Sequence, residues 1–325
     1  MSRILYQNSR TGDAFDVTGL VTSAKWSTKR SGAPASLEIT ALDGGGAGVE
    51  WEHGGVLTLL SGSDGTEGAE GLFYGYVVKI SRSEKEQVSV TAYDQIWYLK
   101  KNKETYVFEN QRADQILSQI GEDFGLTVGE LENTGYAIPS MVEDGQTLLD
   151  ILLKALDYTI VNTGRMYVLW DDYGSLRLTE PSGAKLDLVV GDGSLATGYS
   201  YESEIDSQTY NRIKLAQNNK TTGKRDIYLY QDSDTIRLWG TLQDYEVVDE
   251  KMEPSQIITR AQQMLELYNR PKKSFEVSAL GDLSVRAGRG LFIRIADLGV
   301  SSFYIVEEAS HDLLKETMSL KLKVV

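Results

Sequence analysis

The chain has 325 residues, a net charge of −14 and no cysteine, with 41% apolar and 25% charged residues. This composition is typical of an ordinary folded protein with two or three domains, and it excludes disulfides and thiolate metal sites. The acidic surplus, without a basic stripe to release counterions, argues against a nucleic-acid-binding protein. No apolar run is long enough to span a membrane and residues 1–8 lack the apolar core of a signal peptide, so we expect synthesis in the cytoplasm.

Residues 1–102 are predicted to be all-β. Short segments rich in β-branched and aromatic residues recur at 37–40, 56–60, 72–80 and 87–92. Glycine-rich stretches at 44–48 and 61–71 separate them, and neither carries the Lys-Ser or Lys-Thr pair of a phosphate-binding loop. The spacing indicates a small barrel or sandwich with flexible turns, and we take it as a first β-barrel.

The pattern changes at residues 103–185. A helix is predicted from about Ala113 to Phe124, with Asn110 as its N-cap and Gly125 as its stop. A second helix at 146–158 is apolar on nearly all sides, so we expect it to be buried. Segments 165–170 and 175–179 flank turn residues 171–174 and predict a hairpin. This region indicates a small α+β domain.

Residues 186–325 return to β-structure. Strands are predicted at 210–217 and 226–231, joined by a polar loop at 218–223, and again at 274–279, 290–295, 303–308 and 317–324. Between them, Pro254 and Pro271 bound a helix at 254–269. One stripe of that helix is apolar and predicts packing against the core of a second β-barrel; it comprises Ile257, Ala261, Met264, Leu265 and Tyr268.

The first and last parts of the chain contain similar segments. Phe73-Tyr74 matches Phe303-Tyr304, and Val88-Ser89-Val90 matches Met318-Ser319-Leu320, both at an offset of 230 residues. Gly55 and Gly290 each lead a strand before the matched pair. We interpret this as two copies of one β-unit. The expected fold class is therefore mainly β with α+β, in which two similar tube-like β-barrel domains flank a small α+β domain.

No catalytic, cofactor-binding or metal-binding residue is predicted. His53 and His311 are the only histidines, and neither HExxH nor G-x-S-x-G occurs. Gly191-Asp192-Gly193 lacks the rest of a dinucleotide fingerprint and indicates a turn. With 47 acidic residues a glycosidase-type carboxylate pair stays open, but the closest cluster, Asp171-Asp172, is expected to be a solvated hairpin tip.

Three stretches resemble a known family. Residues 191–201 followed by 210–214, residues 279–288, and the ending from His311 to Leu320 are similar to the XkdQ/YqbQ-type proteins of contractile phage tails and PBSX-like prophage particles. The length, the order of β, α+β and β regions, and the missing catalytic motifs agree along the whole chain.

The resemblance implies a non-enzymatic baseplate hub of a phage tail or a phage-tail-like bacteriocin. Such a hub is a homotrimer at the distal end of the tail tube, where two barrels per chain join a sixfold tube to a threefold spike. The implied partners are the tube protein ring, the central spike, the baseplate wedge proteins and the tape measure. DNA passes through the lumen without specific binding, and the chain is expected in the assembled particle.

Two other functions stay open. A cell-wall (peptidoglycan) hydrolase or glycan-binding module would use exposed aromatic residues such as Trp51, Trp97 or Trp170 as sugar platforms, although core or interface packing is the more common role of tryptophan. A small-molecule enzyme ranks last because no nucleophile or cofactor motif is visible.

Overall fold

The structure, a computed structural model, describes residues 2–42, 49–62, 69–83, 86–181, 185–220, 222–250 and 252–324. The predicted glycine-rich turn at 44–48 and the centre of the 61–71 loop lie outside these ranges. The chain forms two compact units, one of residues 1–200 with 276–325 and one of residues 201–275. Among the described residues, no helix combines the length and apolar character needed to cross a membrane.

The strands in chain order are β1 (Arg3–Gln7), β2 (Ala14–Asp16), β3 (Val21–Lys29), β4 (Ser36–Leu42), β5 (Val56–Leu60), β6 (Gly71–Ser83), β7 (Gln87–Tyr93), β8 (Lys103–Gln111), β9 (Val128–Leu131), β10 (Ile138–Thr147), β11 (Val168–Asp171), β12 (Leu176–Thr179), β13 (Lys185–Gly191), β14 (Ala196–Glu204), β15 (Arg212–Asn219), β16 (Lys224–Gln231), β17 (Gln243–Val248), β18 (Lys272–Leu280), β19 (Gly290–Ile295), β20 (Val300–Asp312) and β21 (Thr317–Val324). The α-helices are α1 (Ile96–Lys101), α2 (Ala113–Asp123), α3 (Leu148–Thr163), α4 (Ser233–Trp239) and α5 (Pro254–Tyr268).

A 13-stranded sheet dominates the fold. Its order is β14-β18-β21-β20-β3-β4-β7-β6-β5-β1-β2, with β19 beside β20 and β13 beside β19. Alternation places one side chain of every two in the core: in β4, Leu37, Ile39 and Ala41 are buried whereas Glu38 is exposed. The chain is thus mainly β, as predicted.

The internal duplication is visible in the strand order. Strands β4-β7-β6-β5 form a first module, and β18-β21-β20-β19 follow one another in the same way in a second module. The paired strands β6 and β7 carry a register shift between Val77 and Lys79, and β20 and β21 carry one between Val306 and Glu308. Both long strands therefore contain a bulge at the corresponding place.

Backbone hydrogen bonds beside the bulge repeat as well. Val77 exchanges bonds with Gly54 and Gly55, and Val306 exchanges the same two bonds with Gly288 and Arg289, all between 2.8 and 2.9 Å. Gly54 and Gly288 share a positive φ, of 82° and 86°. Such a φ favours glycine, which explains why this residue type recurs before each strand.

The hairpins that follow end alike. Glu86 and Glu316, each directly before its strand β7 or β21, have φ values of 51° and 52°. These residues are 230 positions apart, and the buried Val88 and Val90 correspond to the buried Met318 and Leu320 at the same spacing. The predicted match between β7 and β21 is therefore confirmed.

The match predicted between Phe73 and Phe303 is wrong by one residue. The ladder makes Val77 equivalent to Val306, an offset of 229, because the hairpin after Asp312 is one residue longer than that after Ser83. Phe73 is accordingly buried, whereas Phe303 is half-buried and Tyr304 takes the buried place that Gly75 has in the first module. A sequence comparison without gaps cannot detect this difference.

The middle of the chain has its own core. Helices α1, α2 and α3 bury their apolar sides with strands β8 to β12, in a cluster that includes Phe108, Ile116, Ile120, Leu152 and Leu178. Helices α2 and α3 and the β11–β12 hairpin were predicted. Helix α1 was not, because it lies at the end of residues 1–102, which were predicted to be all-β. The N-cap of α2 was not predicted either: Asn110 lies in β8 with a φ of 51°, and the cap is Arg112, whose backbone N–H donates to Gln115 Oε1 at 3.0 Å.

Residues 201–275 contain a second, smaller sheet. Its order is β16-β15-β17, and α5 packs on one face through Ile257 and Ala261, which contact a core of Ile213, Leu215 and Val248. The apolar stripe of α5 was predicted, as were its proline-bounded ends and the 218–223 loop between β15 and β16. The predicted packing of this stripe against the second β-barrel is wrong, because the stripe covers the small sheet instead.

Gly191 offers a test of the ladder between β13 and β19. A Cβ at this position would lie 2.0 Å from the backbone oxygen of Arg294, so one of the two strands would have to move. We expect Gly191→Ala to lower the free energy of unfolding by about 1–3 kcal/mol. Chemical denaturation of the full chain measures this change.

Gly198→Ala is the matched control, because a Cβ at Gly198 meets nothing within 4 Å. Alanine should not destabilise this exposed strand. It should raise the free energy of unfolding by at most about 1 kcal/mol, because alanine leaves the unfolded chain less conformational freedom than glycine does. Equal unfolding free energies for the two variants would contradict the proposed close approach.

Candidate functional site

A buried polar cluster joins three parts of the larger unit. Asp94 and Gln95 follow β7, Trp170 and Asp171 end β11, and Arg286 lies in the segment before β19. Asp94, Gln95 and Asp171 are each 5% exposed or less. Burial of two carboxyl groups and a guanidinium is costly unless each of them is paired.

Asp94 is satisfied by backbone groups. Its Oδ2 accepts from the Ala35 N–H and its Oδ1 from the Ile96 N–H, both at 3.0 Å. Burial raises the pKa of Asp94 well above its ordinary value, and the neighbouring Asp171 carboxyl raises it further, whereas these hydrogen bonds and Arg286 oppose the rise. The side chain thus fixes the strand-to-helix turn at the start of α1.

Asp171 and Gln95 tie the β11–β12 hairpin to that turn. Asp171 Oδ1 accepts from the Gly174 N–H at 2.6 Å, and Gln95 Nε2 donates to Asp171 Oδ2 at 3.2 Å. Gln95 also donates to the Gly174 carbonyl and accepts from the Thr127 N–H. Burial raises the pKa of Asp171, although these hydrogen bonds and Arg286 lower it.

The solvated hairpin tip predicted at Asp171-Asp172 is therefore wrong for Asp171. The tip is covered because Tyr173 packs edge-on against Tyr74 of β6, with ring centroids 5.7 Å apart. Only Asp172 behaves as predicted: it is partly exposed and forms an ion pair with Arg177 at 2.7 Å. The contact with Tyr74 is distant in sequence, so local turn residues do not reveal it.

Arg286 is the cation of the cluster. Its Nη2 donates to the Asp171 carbonyl at 3.1 Å, and its guanidinium carbon lies 4.0 Å from the centre of the Trp170 ring. Burial lowers the pKa of Arg286 to about 10, which leaves it charged at neutral pH. Its Nε is buried without a hydrogen-bond partner among the described residues.

The segment around Arg286 is held along its backbone. The Val285 carbonyl faces His311 Nε2 at 2.8 Å, and the Ala287 N–H donates to Thr28 Oγ1 at 2.9 Å. At Gly288 a Cβ would lie 2.7 Å from Val168 Cγ1. This segment belongs to the stretch 279–288 that carried the family resemblance, and its place at the contact between β-modules and middle region explains its particular sequence.

A cleft of about 370 Å³ lies beside this cluster. Its walls include Lys185, Arg286, Arg289, Glu132 and Trp170, but not Asp94 or Asp171. The two carboxyl groups of this cluster, Asp94 and Asp171, thus do not line the cleft. A glycosidase needs both carboxyl groups at a substrate, so the cluster has a structural rather than a hydrolytic geometry.

The histidines do not form a second site. His53 is exposed in the turn before β5, whereas His311 is buried in β20, where its ring stacks on Trp26 at a centroid distance of 5.1 Å. Burial lowers the pKa of His311, and its Nε2 faces a carbonyl rather than a hydroxyl or carboxyl group. A second cleft of about 460 Å³ beside it is lined by Ile4, Leu283 and Leu313, among others.

The tryptophans proposed as sugar platforms are partly or fully covered. Trp51 is 7% exposed and packs against Tyr6, with ring centroids 4.5 Å apart. Trp170 lies under Arg286, and Trp97 has Lys101 Nζ 5.9 Å from its ring centre. Among the described residues, no group of three or more metal-binding side chains lies together.

The raised pKa of Asp94 predicts a pH dependence of stability. A carboxyl group whose pKa is raised in the folded state stabilises the fold below its ordinary pKa, and this contribution is lost as the pH rises through the folded value. We expect Asp94→Asn to lose less stability than the wild type between about pH 4 and pH 8. Thermal unfolding across this range measures it, and each kcal/mol shifts Tm by about 2–4 °C.

Asp114→Asn should behave in the opposite way. Burial disfavours ionisation of Asp114, but hydrogen bonds from Arg112 and Thr134 outweigh it and hold its pKa below the ordinary value. Its contribution is present near neutral pH and is lost on acidification, so this variant should differ most from the wild type near neutral pH. Parallel Tm curves for the wild type and Asp94→Asn would count against the assignment.

Comparison with known proteins agrees with the fold. A family model described as YQBQ-like matches residues 24–323. The protein YqbQ of Bacillus subtilis strain 168 is 34% identical over 258 residues, covering 78% of this chain and 77% of YqbQ. The phage-like element PBSX protein XkdQ of the same strain is 32% identical over 292 residues, covering 89% of this chain and 87% of XkdQ.

A solved structure shares the fold at low sequence identity. The 43 kDa tail protein of prophage MuSo2 from Shewanella oneidensis superposes with a TM-score of 0.73 and 14% identity, covering 99% of this chain and 98% of that protein. The family model and both relatives confirm the resemblance to the XkdQ/YqbQ-type proteins. On the family model and on both relatives, the chain belongs to the YQBQ-like family.

Proposed function

We propose that this protein is a structural component of a phage-type tail, a non-enzymatic hub whose trimer adapts a sixfold tube to a threefold spike. The observation that carries the proposal is the duplicated β-module, with its repeated strand order, bulge and positive-φ residues. Three chains with two modules each supply six nearly equivalent modules, which is what a sixfold neighbour requires. The names of XkdQ and of the MuSo2 tail protein support the setting.

The partners follow from this position. One side of the ring would contact the tail tube ring and the other the central spike, with wedge proteins at the periphery and the tape measure inside. In this arrangement residues 1–102 and 186–325 contribute the ring modules, and residues 103–185 form a peripheral domain. The net charge of −14 suits a lumen through which DNA passes without binding, since like charges repel.

The polar cluster at Arg286 supports a structural role. Its buried charges connect the turn after β7, the β11–β12 hairpin and the segment before β19, and their carboxyl groups are closed to substrate. Rigid connection between modules is what a ring component needs to transmit force during contraction. The perturbed pKa values, which in many proteins mark active sites, are explained here by burial within a joint.

Copy number in the assembled particle tests the hub. Electron microscopy of tails that contain this protein should show three chains in one ring at the distal end of the tube, with six similar β-modules around the lumen. The ring symmetry follows from two modules per chain. A copy number that is not a multiple of three would overturn the proposal.

Activity on cell walls tests the rival function. We expect no soluble fragments when the purified chain is incubated with peptidoglycan, because Asp94 and Asp171 cannot reach a bound glycan. A muralytic enzyme serves as the positive control. Release of fragments that is abolished by Asp171→Asn would instead establish a cell-wall hydrolase.

A further inference from the structure

One face of the small sheet in residues 201–275 is open and apolar. Helix α5 covers the side with Ile213 and Leu215, and the register places the alternate residues of all three strands on the opposite side. We call this side the open face; it consists of Lys214, Ala216, Ile227, Leu229, Tyr245 and Val247, with Arg212 and Arg225 at its margins.

The apolar side chains of the open face are unusually exposed. Ile227, Leu229, Tyr245 and Val247 are 49%, 43%, 45% and 43% accessible. Ile227 and Val247 pair with Ala216 from its two sides, and Leu229 and Tyr245 pair with Lys214 in the same way. Ala216, between Ile227 and Val247, is fully buried by them. Single exposed apolar residues are common on protein surfaces, but a contiguous group of this kind marks an interaction surface.

The charge of the open face is opposite to that of the chain. The three charged residues of the open face, Arg212, Lys214 and Arg225, are all basic. All of its strand positions lie in the described part of the chain, and no acidic residue occupies any of them. The acidic residues of the same strands, such as Asp226, Asp244 and Glu246, fall on the helix side. The net charge of the whole chain is nevertheless −14, so the rest of the chain carries a larger negative charge than this total.

The cations are held over the apolar side chains rather than pointing away. Arg225 donates from Nη1 to Tyr245 Oη at 2.8 Å and from Nε to Asn218 Oδ1 at 3.1 Å. Lys214 Nζ lies 5.8 Å from the centre of the Tyr245 ring. The arrangement combines a large apolar contact area with fixed positive charge, which is complementary to an acidic protein surface that carries apolar side chains.

We propose that the open face binds an acidic surface of a neighbouring copy of this chain in a head-to-tail contact. A twofold contact would place two identical basic faces against each other, and their repulsion disfavours it. A head-to-tail contact brings the basic face to a different, acidic region and generates a ring when the rotation closes. The inference rests on the proposed trimer and names the surface through which it forms.

Exchange of one leucine tests the contact in the full-length chain. Leu229→Glu places a carboxylate in the middle of the open face. On association this carboxylate would lose its hydration and would be repelled by the acidic partner surface. The control is Leu267→Glu, which alters a leucine of similar exposure, 52%, on α5. We expect Leu229→Glu to raise the dissociation constant of the trimer about tenfold or more in sedimentation equilibrium, and Leu267→Glu to leave it within about twofold.

Charge reversal gives a second, independent readout. The double variant Lys214→Glu and Arg225→Glu keeps a half-buried and an exposed position charged, so its fold, monitored by circular dichroism, should survive. Association of the wild type should weaken as salt rises, because screening reduces attraction between the basic face and an acidic partner. The double variant should associate more weakly than the wild type at low salt and should lose this salt dependence.

The outcomes separate the inference from the proposed function. A wild-type trimer that Leu229→Glu and the charge reversal leave intact would overturn the open face as the contact and leave the hub standing. A twofold dimer would overturn head-to-tail binding. A wild type that stays monomeric up to about 100 µM would overturn binding between copies through this face, and the hub would then stand or fall with the copy number in assembled tails.

Discussion

The pairing of β3 with β20 is the interaction on which the larger unit depends. Five residue pairs, from Lys29 with Glu308 to Lys25 with Asp312, join β3, which pairs with β4 of the first module, to β20 of the second module. Ser27 and Ser310 share a hydrogen bond, and Arg30 forms an ion pair with Glu307 at 2.9 Å. Because this ladder joins the two modules into one sheet, neither module leaves a long edge strand unpaired where they meet. The same pairing brings the segment of Arg286 close to Trp170 and Asp171.

Much of the fold could be predicted from local pattern. The strands Val56–Leu60, Gly290–Ile295 and Thr317–Val324 were located to the residue, since each is a short apolar run bounded by turn residues. The helix Pro254–Tyr268 was equally clear from its prolines and its apolar stripe. Strands that lie exposed, such as Ala196–Glu204, gave no such signal, because alternation is visible only where one face is buried.

The candidate site was not predictable in the same way. Arg286 and Asp171 are 115 positions apart, and nothing in either segment indicates the other. Asp171 sits among residues that favour a turn, and only the tertiary contact of Tyr173 with Tyr74 buries it. The sequence shows that familiar catalytic motifs are absent. It does not show the buried polar cluster, because that cluster depends on tertiary contacts between distant segments.

The extra residue in the second hairpin has a wider meaning. Because of it, the offset between the two modules is 229 in β6 and β20 but 230 in β7 and β21, and the places that then correspond in the ladders hold different residues, Gly75 in one copy and Tyr304 in the other. The two modules are thus more alike in their backbone ladders than in the side chains at corresponding places. In the ring that we propose, the similar backbones would meet a neighbour that repeats six times, and the different side chains at those places would distinguish one module of each chain from the other. The proposed ring would then combine a sixfold backbone pattern with a threefold side-chain pattern.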